Sequence, residues 1–403
     1  MNVLIADKFQ AWGIDELKLA GCTVACEPNL HGDALRDAVR RTGCHVLIVR
    51  STKVPAQAME DCPDLGLIIR AGAGYNTIDV EAASRNSIFV ANCPGKNAVA
   101  VAELTFALIL ALDRRIVENT LALRDGRWNK KEFSNADGLK DRTLGVIGLG
   151  EIGRAVARRA QAFEMKVAAW SRSLTSEGAA EMHVRKCDSP AEVAAHSHVV
   201  TIHLAANADT KHIINADVLE RMQPGSCLIN TARAEVLDYA ALARVVRDRR
   251  IRVGLDVFPD EPAGGEADYR AAILEAGGVI YGTHHVGAST SQAQNAIAAE
   301  AVRIVKVFMK RGVVENCVNV AADTPAKSVL LVRHRNRPGV LAHVLNAISV
   351  AGVNVSEMEN TLCAGLESAC AKIHLDDALS DAVLATIRDG HEHVLAVSQM
   401  KAK

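Results

Sequence analysis

Leu144-Gly145-Val146-Ile147-Gly148-Leu149-Gly150-Glu151-Ile152-Gly153 is the stretch whose reading decides the fold. Leu144 to Ile147 reads as a short apolar strand. Arg154 to Phe163 carries helical spacing, with Val156, Ala160 and Phe163 on one side, and Lys166 to Trp170 is a second strand. Strand, glycine turn, helix and strand within about 30 residues is the context in which GxGxxG marks a dinucleotide site rather than a plain turn. The first glycine permits the tight turn, the second lets the backbone approach a pyrophosphate, and the third lets the helix pack close to the strand. The amides of the helix N-terminus then face the anion.

A chain of 403 residues is too long for one core, so two or three domains are expected. Its 46 Lys and Arg balance 47 Asp and Glu, and this argues against nucleic acid or a charged membrane surface as partner. Met1 to Asp7 opens as a strand rather than a signal peptide. The most apolar run, Leu104 to Leu112, is too short to span a bilayer. None of the ten cysteines forms a CxxC or a zinc-spaced cluster, so no metal site is expected. Buried reduced thiols in a cytoplasmic protein are the simpler reading. With only 3 Trp, 4 Tyr and 7 Phe, the cores must be aliphatic.

Outward from the glycine turn, the chain alternates strands and helices. Before it lie strand candidates at 3–6, 23–25, 46–49, 67–69 and 88–91, with helices near 12–20, 33–42, 56–61 and 79–86 between them. Parallel strands need such crossovers, so residues 1–97 read as a doubly wound α/β domain. Pro94-Gly95-Lys96-Asn97 breaks the pattern, and one long helix is expected from Ala98 to Arg124, apolar nearly all round in its first half. A basic loop with Trp128, Lys130 and Lys131 follows. After the turn come strands at 198–203, 226–230, 253–256 and 279–281, and helices near 216–221 and 238–248. A helix at 291–311 leads to a return strand at 313–320 and a short linker at 321–325. The last segment reads strand 328–334, helix 338–351 with Pro at its start and Gly352 as cap, strands 354–360 and 369–375, helix 380–388 and strand 394–400. That βαββαβ order is a ferredoxin-like unit. The fold class is thus α/β: two doubly wound parallel sheets, one flavodoxin-like and one Rossmann, plus the small unit.

Three polar residues stand at the carboxyl ends of strands in the nucleotide domain, the edge where open α/β sheets bind ligands. They are Arg233 in Asn230-Thr231-Ala232-Arg233, Glu261 in Asp260-Glu261-Pro262, and His285 in His284-His285-Val286-Gly287. A cation to hold a carboxylate, an imidazole to take a hydroxyl proton and a carboxylate to hold the imidazole tautomer suit hydride transfer on a hydroxy acid. Singly, Arg233 is equally a surface charge, Glu261 a turn residue and His285 a satisfied loop histidine. Convergence on one edge shifts the balance. On spacing alone, His284 competes with His285.

These motifs resemble the D-isomer-specific 2-hydroxyacid dehydrogenases, and within them the D-3-phosphoglycerate dehydrogenases. Arg50 to Val54, Arg70 to Gly74, Asp79 to Ala83 and the Trp128 to Lys131 loop match the substrate domain and the segment after it. The GLGEIG turn, the Arg233 segment, Asp256-Val257-Phe258 with Glu261-Pro262, and His285 to Thr290 match the nucleotide domain. The resemblance implies a catalytic trio of Arg233, Glu261 and His285. It implies a substrate carboxylate held by the Ala73 and Gly74 amides with Arg233; Arg50, and Lys130 and Lys131 of a neighbouring subunit, are the cations expected to receive a phosphate. Solvated surface charge is the simpler reading of those cations. NAD is expected on Gly148, Gly150, Glu151, Ile152, Gly153, Ser171, Arg172, His203, Thr231, Ala232, Gly287 and Asp256, the last against the nicotinamide amide. The substrate domain is expected to be discontinuous, 1–97 with 288–322, around a nucleotide domain at 98–287. Residues 327–403 resemble an ACT domain, in which His334, Asn336 and Asn354 would hold an amino-acid effector, serine by analogy, in a homodimer or homotetramer. Pairing alone, without an effector, is the simpler role for that tail.

Three departures stand out. Trp170-Ser171-Arg172-Ser173 occupies the place of the ribose-binding acid, and a hydroxyl with a guanidinium suits a 2′-phosphate, so NADP is an open alternative. Ala234 stands where a glycine is usual and is expected to stiffen the loop. His284 replaces a proline, setting a second imidazole beside His285 for coupled titration. The expected reaction is oxidation of 3-phospho-D-glycerate to 3-phosphohydroxypyruvate, the first step toward L-serine. The alternatives are a glyoxylate or hydroxypyruvate reductase and, from another class, an NAD-sensing transcriptional corepressor.

Overall fold

Strands Val46–Val49, Val199–Ile202 and Cys227–Asn230 are buried along their whole length in a computed structural model, which describes residues 1–262, 266–321 and 324–402. Strands covered on both faces read as continuous apolar runs, and here they are parallel. The chain forms two units, Met1–Asn319 and Val320–Lys403.

The first unit holds two sheets. Its first segment runs β1 (Asn2–Ile5), α1 (Ala11–Leu19), β2 (Thr23–Cys26), α2 (Asp33–Thr42), β3 (Val46–Val49), β4 (Leu67–Arg70), α3 (Val80–Arg85) and β5 (Phe89–Asn92). The strands order as β2-β1-β3-β4-β5, all parallel, the flavodoxin-like arrangement. The second segment runs α4 (Ala98–Arg114), α5 (Ile116–Arg124), β6 (Thr143–Ile147), α6 (Glu151–Ala162), β7 (Lys166–Trp170), α7 (Ser176–Glu181), β8 (Arg185–Lys186), α8 (Pro190–Ala195) and β9 (Val199–Ile202). It continues with α9 (Ala216–Glu220), β10 (Cys227–Asn230), α10 (Tyr239–Arg249), β11 (Arg252–Leu255) and β12 (Ile280–Gly282). Its parallel sheet orders as β12-β11-β10-β9-β6-β7-β8, so the strand order reverses between β6 and β9, beside the glycine turn. Each sheet has an aliphatic core on both faces. Helix α11 (Ser291–Arg311) returns to the first sheet and buries Ile297, Ala301, Ile304 and Val305 against Ile5, Ile48 and Ile69.

The expected single helix 98–124 is two. Arg115 sits at φ +49, which breaks the ladder between α4 and α5. The Asn119 side-chain amide donates to the freed carbonyls of Arg114 (3.1 Å) and Arg115 (3.0 Å) and so stabilises the break. The expected return strand 313–320 also fails to form. The segment lies beside β5, joined by a single Ala91–Cys317 bridge. Asn316 at φ +55 twists it, and the Asn319 side chain rather than its backbone takes the Val90 amide, at 2.8 Å.

The second unit runs β13 (Ser328–Arg335), α12 (Val340–Val350), β14 (Val355–Leu362), β15 (Ser368–Leu375), α13 (Asp381–Asp389) and β16 (Val394–Lys401). Its antiparallel sheet orders as β14-β15-β13-β16. Pro338 lies outside α12, because Gly339 at φ +89 makes the turn and caps the helix. Residues 322 and 323 of the expected linker lie outside the described residues, as does Lys403. No helix of the described residues is long and apolar enough to cross a membrane. Not all thiols are buried: Cys26 and Cys363 are exposed.

Candidate active site at the carboxyl edge of the second sheet

The glycine turn behaves as its spacing requires. Gly148, at φ +97, would press a Cβ to within 2.4 Å of the His203 carbonyl oxygen, and Gly153 would place one 2.0 Å from the Gly148 carbonyl oxygen. A Cβ on Gly150 meets no protein atom, so the space above it is open. Behind it, Glu151 and Ile152 begin α6 with no side-chain cap on their amides, so an anion fits there. His203 follows β9 and is partly buried, and desolvation of its ring pushes its pKa down to about 3, so the ring is neutral. Its Nε2 bonds Thr201 Oγ1 at 2.9 Å, while Nδ1 is a buried polar atom with no partner among the described residues. An open glycine turn, free helix amides and an orphaned imidazole nitrogen at one edge fit a dinucleotide. Other expected cofactor residues are engaged within the chain. Thr231 turns its hydroxyl to Thr105 at 3.0 Å, and the Ala232 amide donates to Asn230 Oδ1 at 3.0 Å. Arg172 is exposed beside Ser171 and pairs with Asp209 at 3.3 Å.

Asp256 is 1 % exposed, and its carboxylate holds the loop after β12. Oδ1 accepts from Thr283 Oγ1 (2.6 Å) and the Val286 amide (2.9 Å), and Oδ2 from the Gly287 amide (2.8 Å). A Cβ on Gly287 would stand 2.9 Å from Oδ2. The loop so held carries His285 at φ +51. His285 Nδ1 lies 2.6 Å from Glu261 Oε2, while Glu261 Oε1 accepts the Phe258 amide at 2.7 Å. Burial pushes the Glu261 carboxyl upward. The hydrogen bonds from His285 and the Phe258 amide, with the charges of His285 and Arg233, outweigh it and hold the carboxyl below its ordinary value. His284 is exposed, makes no hydrogen bond and does not stack on His285 among the described residues. Ala234 has no positive φ and simply opens a 3₁₀ turn, Ala234–Val236, so the alanine imposes no strain.

Arg233 reaches across to the first sheet. Its guanidinium lies against the Gly74 backbone, where a Cβ would stand 2.0 Å from Arg233 Nη2. The Ala73 and Gly74 amides donate to nothing among the described residues. Burial lowers the Arg233 pKa against the charges of Glu235 and Glu261. Arg50 is half-buried and likewise lowered by burial, which the charge of Asp7 opposes. Asp7 itself holds the loop at Arg50, accepting the amides of Arg50 (2.6 Å), Ser51 (3.1 Å) and Thr52 (3.1 Å).

The residue the sequence reading left without a role is Arg70, at the carboxyl end of β4. Its pKa is lowered to about 10, first by burial and then by the charges of Arg233 and Arg50. Its buried Nε has no partner among the described residues. The signal was present: an apolar strand, Leu67-Ile68-Ile69, ends in an arginine at a ligand-binding edge. Lys130 and Lys131 are exposed on the basic loop and engage no site residue within the chain.

The expected effector residues do not meet within one chain. His334 is 2 % exposed, with both ring nitrogens engaged by the Arg335 carbonyl (2.8 Å) and Asn360 Oδ1 (3.0 Å). Asn336 follows β13 and donates to the Leu366 carbonyl. Asn354 precedes β14, which runs parallel to β13 with β15 between them, so it stands at the opposite end of the sheet. Eight-residue strands set that separation at roughly 25 Å.

Residues 106–286 match the D-isomer specific 2-hydroxyacid dehydrogenase, NAD binding domain family. The chain is 37 % identical over 322 residues to a D-3-phosphoglycerate dehydrogenase of Methanocaldococcus jannaschii, covering 79 % of this chain and 60 % of that protein. It is 38 % identical over 270 residues to a hydroxypyruvate reductase of Thermotoga maritima, covering 66 % of this chain and 85 % of that one. Among solved structures it is similar to the NAD⁺-bound 3-phosphoglycerate dehydrogenase of Entamoeba histolytica, with a TM-score of 0.67 at 25 % identity, covering 79 % of this chain and 99 % of that chain. An NAD-binding turn and an imidazole–carboxylate pair facing an arginine agree with these likenesses, and the chain belongs to the family of NAD-dependent D-isomer-specific 2-hydroxyacid dehydrogenases.

Proposed function

We propose that this chain oxidises 3-phospho-D-glycerate to 3-phosphohydroxypyruvate with NAD, the first step toward L-serine. One observation carries the phosphorylated substrate: Arg70 lies within reach of the charges of both Arg50 and Arg233, and its own buried Nε has no partner among the described residues, while Asp7 faces Arg50 and Glu235 and Glu261 face Arg233. Buried cations without partners are costly, and a ligand bearing two anionic groups relieves that cost. Arg233 and the free amides of Ala73 and Gly74 take the carboxylate. Arg50 and Arg70 take the phosphate, with Lys130 and Lys131 of a second subunit closing over it. His285 Nε2 removes the hydroxyl proton while Glu261 holds Nδ1 and stabilises the imidazolium. Bound NAD supplies the hydride acceptor.

The test is reductase turnover with phosphohydroxypyruvate against hydroxypyruvate. A preference of about a hundredfold, on the order of 3 kcal/mol in transition-state binding, is expected. Equal rates, or an unchanged KM for the phosphorylated acid in Arg50→Ala, would sink the phosphate site. A second reading, an NADPH-dependent glyoxylate or hydroxypyruvate reductase, is favoured by Ser171 and Arg172 in place of a ribose-binding acid.

The enzyme is proposed to be a cytoplasmic homodimer or homotetramer. Ile116, Val117, Leu121 and Leu123 of α5, with Trp128 at 81 % exposure, leave an apolar surface for a second copy to cover. The tail is proposed to sense an amino acid such as serine. Because Asn336 and Asn354 stand at opposite ends of one sheet, such a site needs two tails, one supplying each asparagine.

A further inference from the structure

The pair formed by His285 and Glu261 is only as well placed as the loop that carries Glu261. That loop, 257–261, leaves β11 and passes through Asp260 at φ +55, a conformation few non-glycine residues adopt. Three hydrogen bonds hold it. Tyr239, the first residue of α10, donates its hydroxyl to the Val257 carbonyl at 2.6 Å. Tyr269 donates to the Pro259 carbonyl at 2.6 Å, with its ring edge-on to Phe258 at 6.3 Å. Between those carbonyls, the Phe258 amide donates to Glu261 Oε1. Glu261 thus turns one oxygen back into its own loop and presents the other to His285.

Among the described residues neither tyrosine hydrogen-bonds the imidazole. The Tyr239 ring packs against the core on one face of the second sheet, where phenylalanine would serve equally. Its hydroxyl does something packing does not require: it fixes the residue from which the Glu261 loop departs. We propose that Tyr239 is a positioning residue, setting through Val257 the direction in which Glu261 presents Oε2 to His285. The inference rests on the proposed role of the Glu261–His285 pair.

The experiment is Tyr239→Phe in the full chain, alone and combined with Glu261→Gln, assayed as a reductase across pH. Reduction uses the protonated imidazole as acid, so activity is lost as pH rises through the imidazole pKa. A loosened carboxylate favours the imidazolium less, so that loss moves to lower pH. Tyr239→Phe is expected to lower kcat about fivefold with KM unchanged and to move the alkaline limb down by about half a unit. In the Glu261→Gln background it is expected to change kcat less than about twofold, because the group it positions is gone. A limb that stays put, or the same loss in both backgrounds, would overturn the proposal and leave Tyr239 a packing residue. If Glu261→Gln itself leaves kcat and the limb unchanged, the pair's role has failed first, a distinguishable result. Tyr269→Phe, which removes the other hydroxyl that holds this loop and lies at an exposed position, gives a second variant with the same expected direction if Tyr239→Phe does not fold.

Discussion

The proposed trio of His285, Glu261 and Arg233 is carried on three different loops, each held by hydrogen bonds within the chain. Asp256 fixes the histidine loop through three donors. Replacing His285 by Asn is expected to lower kcat by about 10²–10⁴-fold while leaving NAD affinity within about twofold, as fluorescence titration would check. Gly150 offers a cleaner test of the nucleotide turn. A Cβ there meets no protein atom within 4 Å, so Gly150→Val is expected to melt within a few degrees of wild type yet to lose NAD binding. A large drop in melting temperature would show that the glycine serves the fold instead. Arg172 bears on the cofactor's ribose. Its exposed pair with Asp209 is weak and leaves the guanidinium available, so Arg172→Asp is expected to raise the ratio of kcat/KM with NAD to that with NADP by about tenfold.

Elements join at α11, and one side chain there ties the crossing. Glu300 is 7 % exposed and accepts from Arg303 (2.6 Å), Asn316 (2.8 Å) and Lys96 (3.2 Å), the last in the loop that leaves the first sheet. The hydrogen bond from Arg303 and, against burial, those from Lys96 and Asn316 hold its carboxyl at about 2, below the usual 4.5. A carboxyl lowered in the folded state stabilises the fold above its unfolded value and loses that contribution as pH falls toward 2. Glu300→Gln is therefore expected to cost on the order of 3 kcal/mol at pH 7 and under about 1 kcal/mol near pH 2.5, where the folded carboxyl is still partly ionised. Urea melts at the two pH values decide it, and an equal cost at both would remove the charge from the explanation.

At the scale of the molecule, the two units have separate cores, with Leu330, Val332, Val344 and Ile373 at the centre of the second. The chain ended after residue 321 is expected to keep kcat within about twofold and to lose any response to serine; a collapse of kcat would tie the tail to the chemistry itself. Leu121→Glu with Trp128→Ser is expected to shift the chain toward monomer in sedimentation, because the apolar surface on α5 would carry a charge.

Much of this was legible in one dimension. The alternation of short apolar runs with helical spacing sufficed for both parallel sheets, since a parallel strand buried on two faces must be apolar throughout and must be reached by a crossover. The GxGxxG turn and the polar residues at strand ends were equally readable, because ligand sites of open sheets lie at one edge. Tertiary structure alone decided the rest. The break at Arg115 depends on Asn119 reaching back to two carbonyls, and the failed strand at 313–320 on Asn319 replacing its own backbone. Asp256 holds a loop 30 residues on, and Arg70 becomes a site residue only when folding sets it beside Arg50 and Arg233. Pattern reads what one residue does to its neighbours along the chain. The orphaned charge at Arg70 and the opposite placement of Asn336 and Asn354 arise between residues the chain keeps far apart, where distance and burial rather than spacing set the energy.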